Sequence, residues 1–227
     1  MILYLITNTP KLYRNSYKWV ETRQNLEELS GDACIVLHYS QVTLSLLERI
    51  RPWAICHSGG SAMYSDMPES YWEIIRQWPG PQIGFCAGHQ FIAYAFGSKL
   101  KRMRKLRPQE PDPAGCQSTR ARQFKEWGVY PVQILQPDPL FQGCKPVIYV
   151  QEFHFWEVTQ LSPELQLLAS SATCKVQAFK HQHKFIYGTQ FHPEIFSQRY
   201  PDGKKIVSNF FHLARAEAAR LQLPVDC

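Results

Sequence analysis

Short apolar runs alternate with helical stretches through the N-terminal part of the chain, and this alternation limits the fold more than any other feature. The apolar runs, which predict buried strands, cover residues 2–7, 33–38, 53–57 and 82–86. The helical patterns cover residues 14–29, 41–50, 68–78 and 87–96. Strands joined through helices run parallel, and their carboxyl ends meet at one edge where ligands bind. The sequence therefore predicts an α/β fold with a mostly parallel central sheet flanked by helices.

The pattern changes after a proline-rich loop at residues 108–118. Strand-like segments follow at 129–135, 147–150, 152–158, 174–180 and 184–190, and residues 202–221 are helical. The last two strand segments are separated only by His181-Gln182-His183, which predicts a hairpin. We therefore expect a small antiparallel extension of the sheet within a single domain covering residues 1–227.

Composition narrows the class of protein. At 227 residues, with 44% apolar and 19% charged residues, the chain is long and apolar enough to bury a core without disulfides. No apolar run approaches the roughly 18 residues of a membrane-spanning helix, and the first residues read as a strand and not as a signal peptide. The seven cysteines are scattered and form no C-x-x-C pair. We expect a cytoplasmic protein without disulfides, metal or cofactor.

The net charge of +6 is partly concentrated in a basic run at residues 99–107. Such a run can bind nucleic acid or an anionic partner. A solvated strand edge protected by lysines has the same composition. We favour the solvated strand edge and expect no nucleic-acid partner and no membrane partner.

The strongest local motif is Gly84-Phe85-Cys86-Ala87-Gly88-His89-Gln90, which follows an apolar strand and opens a helix. The G-x-C-x-G spacing is typical of a nucleophile elbow, a tight turn that exposes one side chain at the sheet edge. It also places Cys86 at a helix N-terminus, where the helix dipole favours a thiolate. The motif predicts that Cys86 is a nucleophile and that the Ala87 N–H faces an oxyanion.

A nucleophilic cysteine needs a base, and the base needs a group that orients it. His192-Pro193-Glu194 follows the last strand-like segment. In an extended segment, residues two positions apart point the same way, so Glu194 can hold the imidazole of His192. Ser58-Gly59-Gly60 closes the third strand, and we expect the Gly60 N–H to be the second oxyanion donor.

At these residues the chain resembles the class I, or triad, glutamine amidotransferases. The family motifs are G-x-C-x-G-x-Q, Q-F-H-P-E and an upstream S-G-G-P loop, and this sequence matches them in order, with Ser61 in place of the proline. The segment Phe153-His154-Phe155-Trp156 also resembles the stretch that lines the glutamine pocket of this family. The resemblance covers roughly residues 1–215.

The resemblance implies a three-layer, flavodoxin-like fold and the hydrolysis of L-glutamine through a γ-glutamyl thioester on Cys86. His192 and Glu194 would complete the catalytic triad, and Gly60 and Ala87 the oxyanion hole. Glutamine-binding residues would be Gly59, Gln90, His154, Phe155 and Trp156. A separate ammonia-accepting synthase is implied as a partner, because no G-x-x-x-x-G-K-[ST] phosphate loop is present.

Two alternatives remain open at the sequence level. A γ-glutamyl peptidase or γ-glutamyl hydrolase would use the same triad with a larger leaving amine, so its pocket would extend beyond the amide. A catalytically silent regulatory module is the other alternative, which the intact Cys86, His192 and Glu194 disfavour.

Overall fold

The computed structural model describes residues 1–15, 18–115 and 122–225. Cys116, Cys227 and the end of the predicted 108–118 loop lie outside these residues. The strands are β1 (Ile2–Ile6), β2 (Cys34–His38), β3 (Ile55–His57), β4 (Gln82–Phe85), β5 (Lys99–Arg102), β6 (Glu126–Ile134), β7 (Val147–His154), β8 (Trp156–Gln160), β9 (Leu165–Ser170), β10 (Ala178–His181) and β11 (Ile186–Thr189). The helices are α1 (Pro10–Asn15), α2 (Lys18–Ser30), α3 (Leu44–Ile50), α4 (Glu69–Gln77), α5 (Ala87–Ala95) and α6 (Asp202–Arg220).

The described strands form a large sheet in the order β2-β1-β3-β4-β11-β10-β9-β6-β7. From β2 to β11 all neighbours are parallel, and from β11 to β7 all are antiparallel. A separate ribbon pairs β5 with β8. The predicted mostly parallel sheet with an antiparallel extension is confirmed. The single domain over residues 1–227 stays a prediction.

Helices cover both faces of the parallel part. The chain moves outward from β1 to β2 and then in the opposite direction through β3, β4 and β11. Because parallel crossovers are right-handed, this reversal places α2 on one face and α3, α4 and α5 on the other. In agreement, α2 contacts α6, whereas α4 contacts both α3 and α5. Strand β1, covered on both faces, is buried at every position.

Several boundaries agree with the sequence patterns and others do not. The predicted hairpin around residues 181–183 is confirmed, since β10 and β11 pair antiparallel, and α5 ends just before Gly97, whose φ is +87°. The predicted break between residues 150 and 152 is wrong, because β7 continues to His154 and the chain turns at Phe155. Strand β9 was not predicted, as its sequence LQLLAS has no strict alternation. Among the described residues, no helix is long and apolar enough to cross a membrane.

The basic run begins as β5, with three exposed cationic side chains and a half-buried Leu100. It pairs only with β8 among the described strands. An exposed strand edge carrying lysine and arginine resists pairing with other chains. The structure thus supports the interpretation of this segment as a solvated edge strand.

Candidate active site

Cys86 occupies a strained turn between β4 and α5. Its backbone adopts φ +48° and ψ −103°, a region that side-chain-bearing residues rarely occupy. The turn is held from the neighbouring strand, because the Cys86 N–H donates a 2.8 Å hydrogen bond to the Thr189 carbonyl at the end of β11. The first turn of α5 follows directly, so the thiol faces the positive end of the helix dipole.

The two glycines of the elbow are required by close backbone contacts. A Cβ on Gly84 would overlap the backbone of Gly88, and a Cβ on Gly88 would overlap the backbone carbonyl of His57. The Gly88 N–H also donates a 3.0 Å hydrogen bond to the Ser58 carbonyl. The elbow is therefore packed tightly against the end of β3.

His192 and Glu194 follow β11 and lie beside the elbow. His192 Nδ1 is 2.8 Å from Glu194 Oε1, which leaves Nε2 to face Cys86. The His192 N–H donates a 2.8 Å hydrogen bond to the Gln151 carbonyl on β7. The ring centroids of His192 and Phe153 are 5.7 Å apart. Strand β7 thus fixes both the backbone and the ring of His192.

The electrostatics of His192 favour its protonated form. Burial alone would lower its pKa, but the Glu194 carboxylate and the hydrogen-bonded side chain of Cys86 outweigh burial and raise the pKa well above its usual value. An imidazolium between a carboxylate and a sulfur atom is the arrangement that stabilises a nucleophilic thiolate.

The predicted oxyanion donors come from two neighbouring loops. Ala87 is the first residue of α5, so its N–H has no acceptor within the helix. Gly60 packs so closely on Thr7 that a Cβ would overlap the Thr7 backbone. Thr7 in turn holds the loop through two 2.9 Å hydrogen bonds, from its N–H to Ser58 Oγ and from its hydroxyl to the Ser58 carbonyl.

A cavity of about 220 Å³ opens next to Cys86. Several predicted site residues line it, namely Gly60, Cys86, Ala87, Gln90, His154, Phe155 and Trp156. Gln90 is fixed at the wall because its Nε2 donates to the Trp156 carbonyl at 2.9 Å and to Gln190 Oε1 at 3.0 Å.

Two predicted glutamine-binding residues are placed differently from the others. Gly59 lies against the His192 ring, and a Cβ there would overlap His192 Cε1. Both ring nitrogens of His154 are already engaged, Nδ1 with the Trp156 carbonyl at 2.8 Å and Nε2 with Glu126 at 2.6 Å. Direct contact of either residue with glutamine stays a prediction. Gly59 packs on His192, and His154 lines the cavity with both of its ring nitrogens already hydrogen-bonded to protein groups.

The family is decided by comparison with known proteins. The model of the family "Glutamine amidotransferase class-I" matches residues 15–214. This chain belongs to the class I glutamine amidotransferases. Such an enzyme hydrolyses glutamine, so the predicted activity is confirmed at the level of the family.

Archaeal relatives agree with this assignment. The amidotransferase chain is 32% identical to a glutamine-hydrolyzing GMP synthase subunit of Pyrococcus abyssi over 74% of this chain and 78% of the relative. It is 33% identical to the corresponding subunit of Thermococcus kodakarensis, over 75% and 80%. A crystal structure from Thermoplasma acidophilum, provisionally described as a GMP synthase subunit, superposes with a TM-score of 0.74 at 26% identity, covering 98% of each chain.

Several residues that shape the site of this amidotransferase were missed in the sequence. Gln151 fixes His192, Gln190 fixes Gln90, and Glu126 contacts His154. Phe153, which packs on the His192 ring, belongs to the segment that was expected to line the pocket. Gln190 stands inside the Q-F-H-P-E motif, which could have drawn attention to it. Gln151 and Glu126 carry no local signal, because their partners are distant in the sequence.

One cluster near the cavity has metal-ligating chemistry. The ligand atoms of Glu126, His154 and Cys174 all lie within 4.8 Å of one another and are buried. However, the 2.6 Å separation of His154 Nε2 and Glu126 Oε2 is that of a hydrogen bond. Two ligands that each lie about 2 Å from a tetrahedral ion are farther apart than this. In this arrangement the cluster is a hydrogen-bond network, and the absence of a metal site stays an expectation.

Proposed function

We propose that this chain is the glutaminase subunit of a two-protein synthase and that Cys86, His192 and Glu194 are its catalytic triad. The observation that carries the proposal is the placement of the strained Cys86 turn between His192 and the 220 Å³ cavity. A nucleophile, a base oriented by a carboxylate and a pocket for the substrate are thereby adjacent.

In the first half-reaction, the Cys86 thiolate attacks the δ-carbonyl carbon of glutamine. The negative charge that develops on the carbonyl oxygen is stabilised by the N–H groups of Gly60 and Ala87, each contributing about 3 kcal/mol to lowering the barrier. The His192 imidazolium then gives its proton to the amide nitrogen. The C–N bond breaks, ammonia leaves, and a γ-glutamyl thioester remains on Cys86.

In the second half-reaction, neutral His192 removes a proton from a water molecule, which attacks the thioester. Glutamate leaves and the thiolate–imidazolium pair is restored. Throughout both steps Glu194 accepts the Nδ1–H of His192, so that Nε2 always faces the reacting atoms.

The pocket suits a small, polar substrate bound largely by backbone groups. Its described lining contains no aspartate, glutamate, lysine or arginine. We assign the Gln90 side chain and the backbone around Phe155 and Trp156 to holding glutamine. Gly59 acts by packing on His192, and His154, which is part of the cavity wall, acts by holding the Trp156 carbonyl.

The acceptor of the ammonia is a separate synthase protein. Support comes from the relatives, which are named as subunits of a glutamine-hydrolyzing GMP synthase. We therefore propose that the partner of this chain forms a guanine nucleotide and docks over the mouth of the cavity.

The test is to incubate the purified chain with L-glutamine and to measure ammonia and glutamate, with Cys86→Ala as the control. Release of both products in equal amounts by the wild type, and their loss in the variant, would support the triad. A folded wild type that is inactive on glutamine but cleaves γ-glutamyl peptides would show a γ-glutamyl hydrolase instead. Equal activity of wild type and Cys86→Ala would refute the assigned nucleophile.

A further inference from the structure

Next to the cavity lies a buried group of two carboxylates and one histidine, of which only the histidine lines the cavity. Glu126 comes from β6, and Glu152 and His154 come from the buried face of β7. Both glutamates are 0% exposed and His154 is 3% exposed. Burying an unpaired charge costs free energy. The role of this group therefore depends on which of its members are ionised and how they are paired.

The hydrogen bonds of His154 require two donors on its ring. Nδ1 lies 2.8 Å from the Trp156 carbonyl, which can only accept. Nε2 lies 2.6 Å from Glu126 Oε2, and that carboxylate also accepts bonds from Ser171, Gln177 and Thr173. A carboxyl group that accepts so many bonds is ionised. His154 is therefore an imidazolium.

The second carboxylate is in a different situation. Glu152 Oε2 lies 3.2 Å from His154 Nε2, but the single N–H there is used by Glu126, and neither oxygen of Glu152 accepts a hydrogen bond from the described residues. Burial raises the pKa of Glu152. The pKa of Glu126, by contrast, is lowered overall. Burial alone would raise it, but the hydrogen bonds from His154, Thr173 and Ser171 outweigh the effect of burial. Glu126 is thus the counter-ion of His154.

From His154 the network reaches the pocket. The Trp156 carbonyl that accepts from His154 also accepts from Gln90 Nε2 at 2.9 Å. Gln90 lines the cavity, as do Phe155 and Trp156. A continuous series of hydrogen bonds therefore joins Glu126 to the wall that faces the substrate.

We propose that Glu126 is a positioning residue for glutamine binding, which it serves by holding His154 as an imidazolium that fixes the Trp156 carbonyl and, through it, Gln90. This inference rests on the proposed function of the cavity as the glutamine site. Glu126 touches no substrate. Its effect is on the affinity for glutamine and not on the chemical step at Cys86.

Other titratable groups also face His154 and bear on its protonation. Besides Glu126 and Glu152, they are Glu157 on β8, Cys174 after β9 and His89 on α5. Burial lowers the pKa of His154, but Glu152 and Glu126 raise it well above its usual value. The single N–H at Nε2 of His154 goes to Glu126 at 2.6 Å, whereas Glu152 lies 3.2 Å away and accepts no hydrogen bond from the described residues. Because of this geometry, we expect that removing the charge of Glu126 allows His154 to lose its proton as the pH rises, while the wild type keeps it.

The experiment compares two isosteric variants, Glu126→Gln and Glu152→Gln, in the full chain. The protonation of His154 is read at pH 8 from the ¹⁵N resonances of its ring, assigned by their loss in His154→Gln. Glutamine affinity is measured by calorimetry in the inactive Cys86→Ala background. We expect an imidazolium in the wild type and in Glu152→Gln, with affinities within about twofold of each other. We expect a neutral ring in Glu126→Gln and about tenfold weaker binding, equal to about 1.4 kcal/mol.

Three results would overturn the proposal: a neutral His154 in the wild type, unchanged affinity in Glu126→Gln, or equal weakening by both variants. The wild-type spectrum shows whether His154 is an imidazolium even if Glu126→Gln does not fold. An imidazolium in a wild-type chain that binds no glutamine would instead contradict the function proposed for the cavity, so the two failures are distinguishable.

Discussion

The backbone N–H of Gly88 donates a 3.0 Å hydrogen bond to the carbonyl of Ser58, so the nucleophile turn and the loop that carries Gly60 are joined directly. The two segments supply the two predicted oxyanion donors, Ala87 and Gly60. Because the bond joins backbone atoms, their relative position is fixed by the sheet and does not depend on a flexible side chain. The neighbouring backbone carbonyl of His57 leaves no room for a side chain at Gly88.

The first prediction concerns this contact. Gly88→Ala should destabilise the fold by about 1–3 kcal/mol, because its Cβ overlaps the His57 carbonyl and overpacking forces the backbone apart. It should also abolish glutaminase activity. Urea unfolding and the ammonia assay measure the two effects.

Gly97→Ala is the matched control for Gly88→Ala. Its Cβ would meet nothing within 4 Å, but φ is +87° there, so a loss of about 1 kcal/mol with full activity is expected. Equal activity of the two variants would contradict the tight packing at the elbow.

The second prediction concerns the orienting carboxylate. Glu194→Gln should lower kcat on the order of 10²- to 10⁴-fold, since an amide can hold the wrong tautomer of His192 and no longer raises its pKa. Asn25→Ala is the control, because within the described part of the chain the Asn25 side chain donates only to the backbone carbonyl of Glu194, at 3.3 Å. An equal loss of activity in Glu194→Gln and Asn25→Ala would mean that the backbone position of Glu194, and not its carboxylate, supports the activity.

The third prediction tests whether Gly59 positions His192 or binds the substrate directly. A Cβ at Gly59 would displace the His192 ring, and misplacing a catalytic group by about 1 Å costs on the order of 100-fold in rate. Gly59→Ala should therefore lower kcat and leave KM for glutamine nearly unchanged. Gly31→Ala, at a helix end with open space around it, is the control. An increase in KM with normal kcat would instead favour a role of Gly59 in binding.

The fourth prediction concerns stability against acid. Burial lowers the pKa of His57 to about 4, and its ring is held between Tyr71 and Gln82 at 3.0 Å each. The unfolded chain binds a proton at this histidine near pH 6.5, whereas the folded chain does so only near pH 4. The stabilisation is therefore complete above about pH 6.5 and is lost as the pH falls towards 4; at pH 5 the loss is roughly 2 kcal/mol.

The measurement is the free energy of unfolding in urea at pH 7 and pH 5, for wild type and His57→Asn. The variant should lose less stability between the two pH values than the wild type. The exposed His212 gives the control His212→Asn, which should behave as wild type. If His57→Asn loses as much as the wild type on acidification, His57 is not held neutral in the fold.

The sequence alone determined those parts of this protein that rest on contiguous residues. The strand–turn–helix around Cys86 is specified by a run of seven residues, because the glycines that the turn needs must stand next to the nucleophile. The pairing of His192 with Glu194 follows from their spacing of two. Alternation of apolar and helical segments specified the parallel sheet, since only that arrangement buries continuous apolar strands on both faces.

The tertiary structure alone decided how distant residues complete the site. Glu126 and His154 are 28 positions apart, and Gln90 and Gln190 are 100 positions apart. Neither pair leaves a periodic or local pattern, because a hydrogen bond between side chains depends on strand order and register. Strand β9 likewise became recognisable only through its partners β10 and β6. The sequence therefore defined the predicted reacting groups, whereas the packing of β6, β7 and α5 determined which residues support the wall around them.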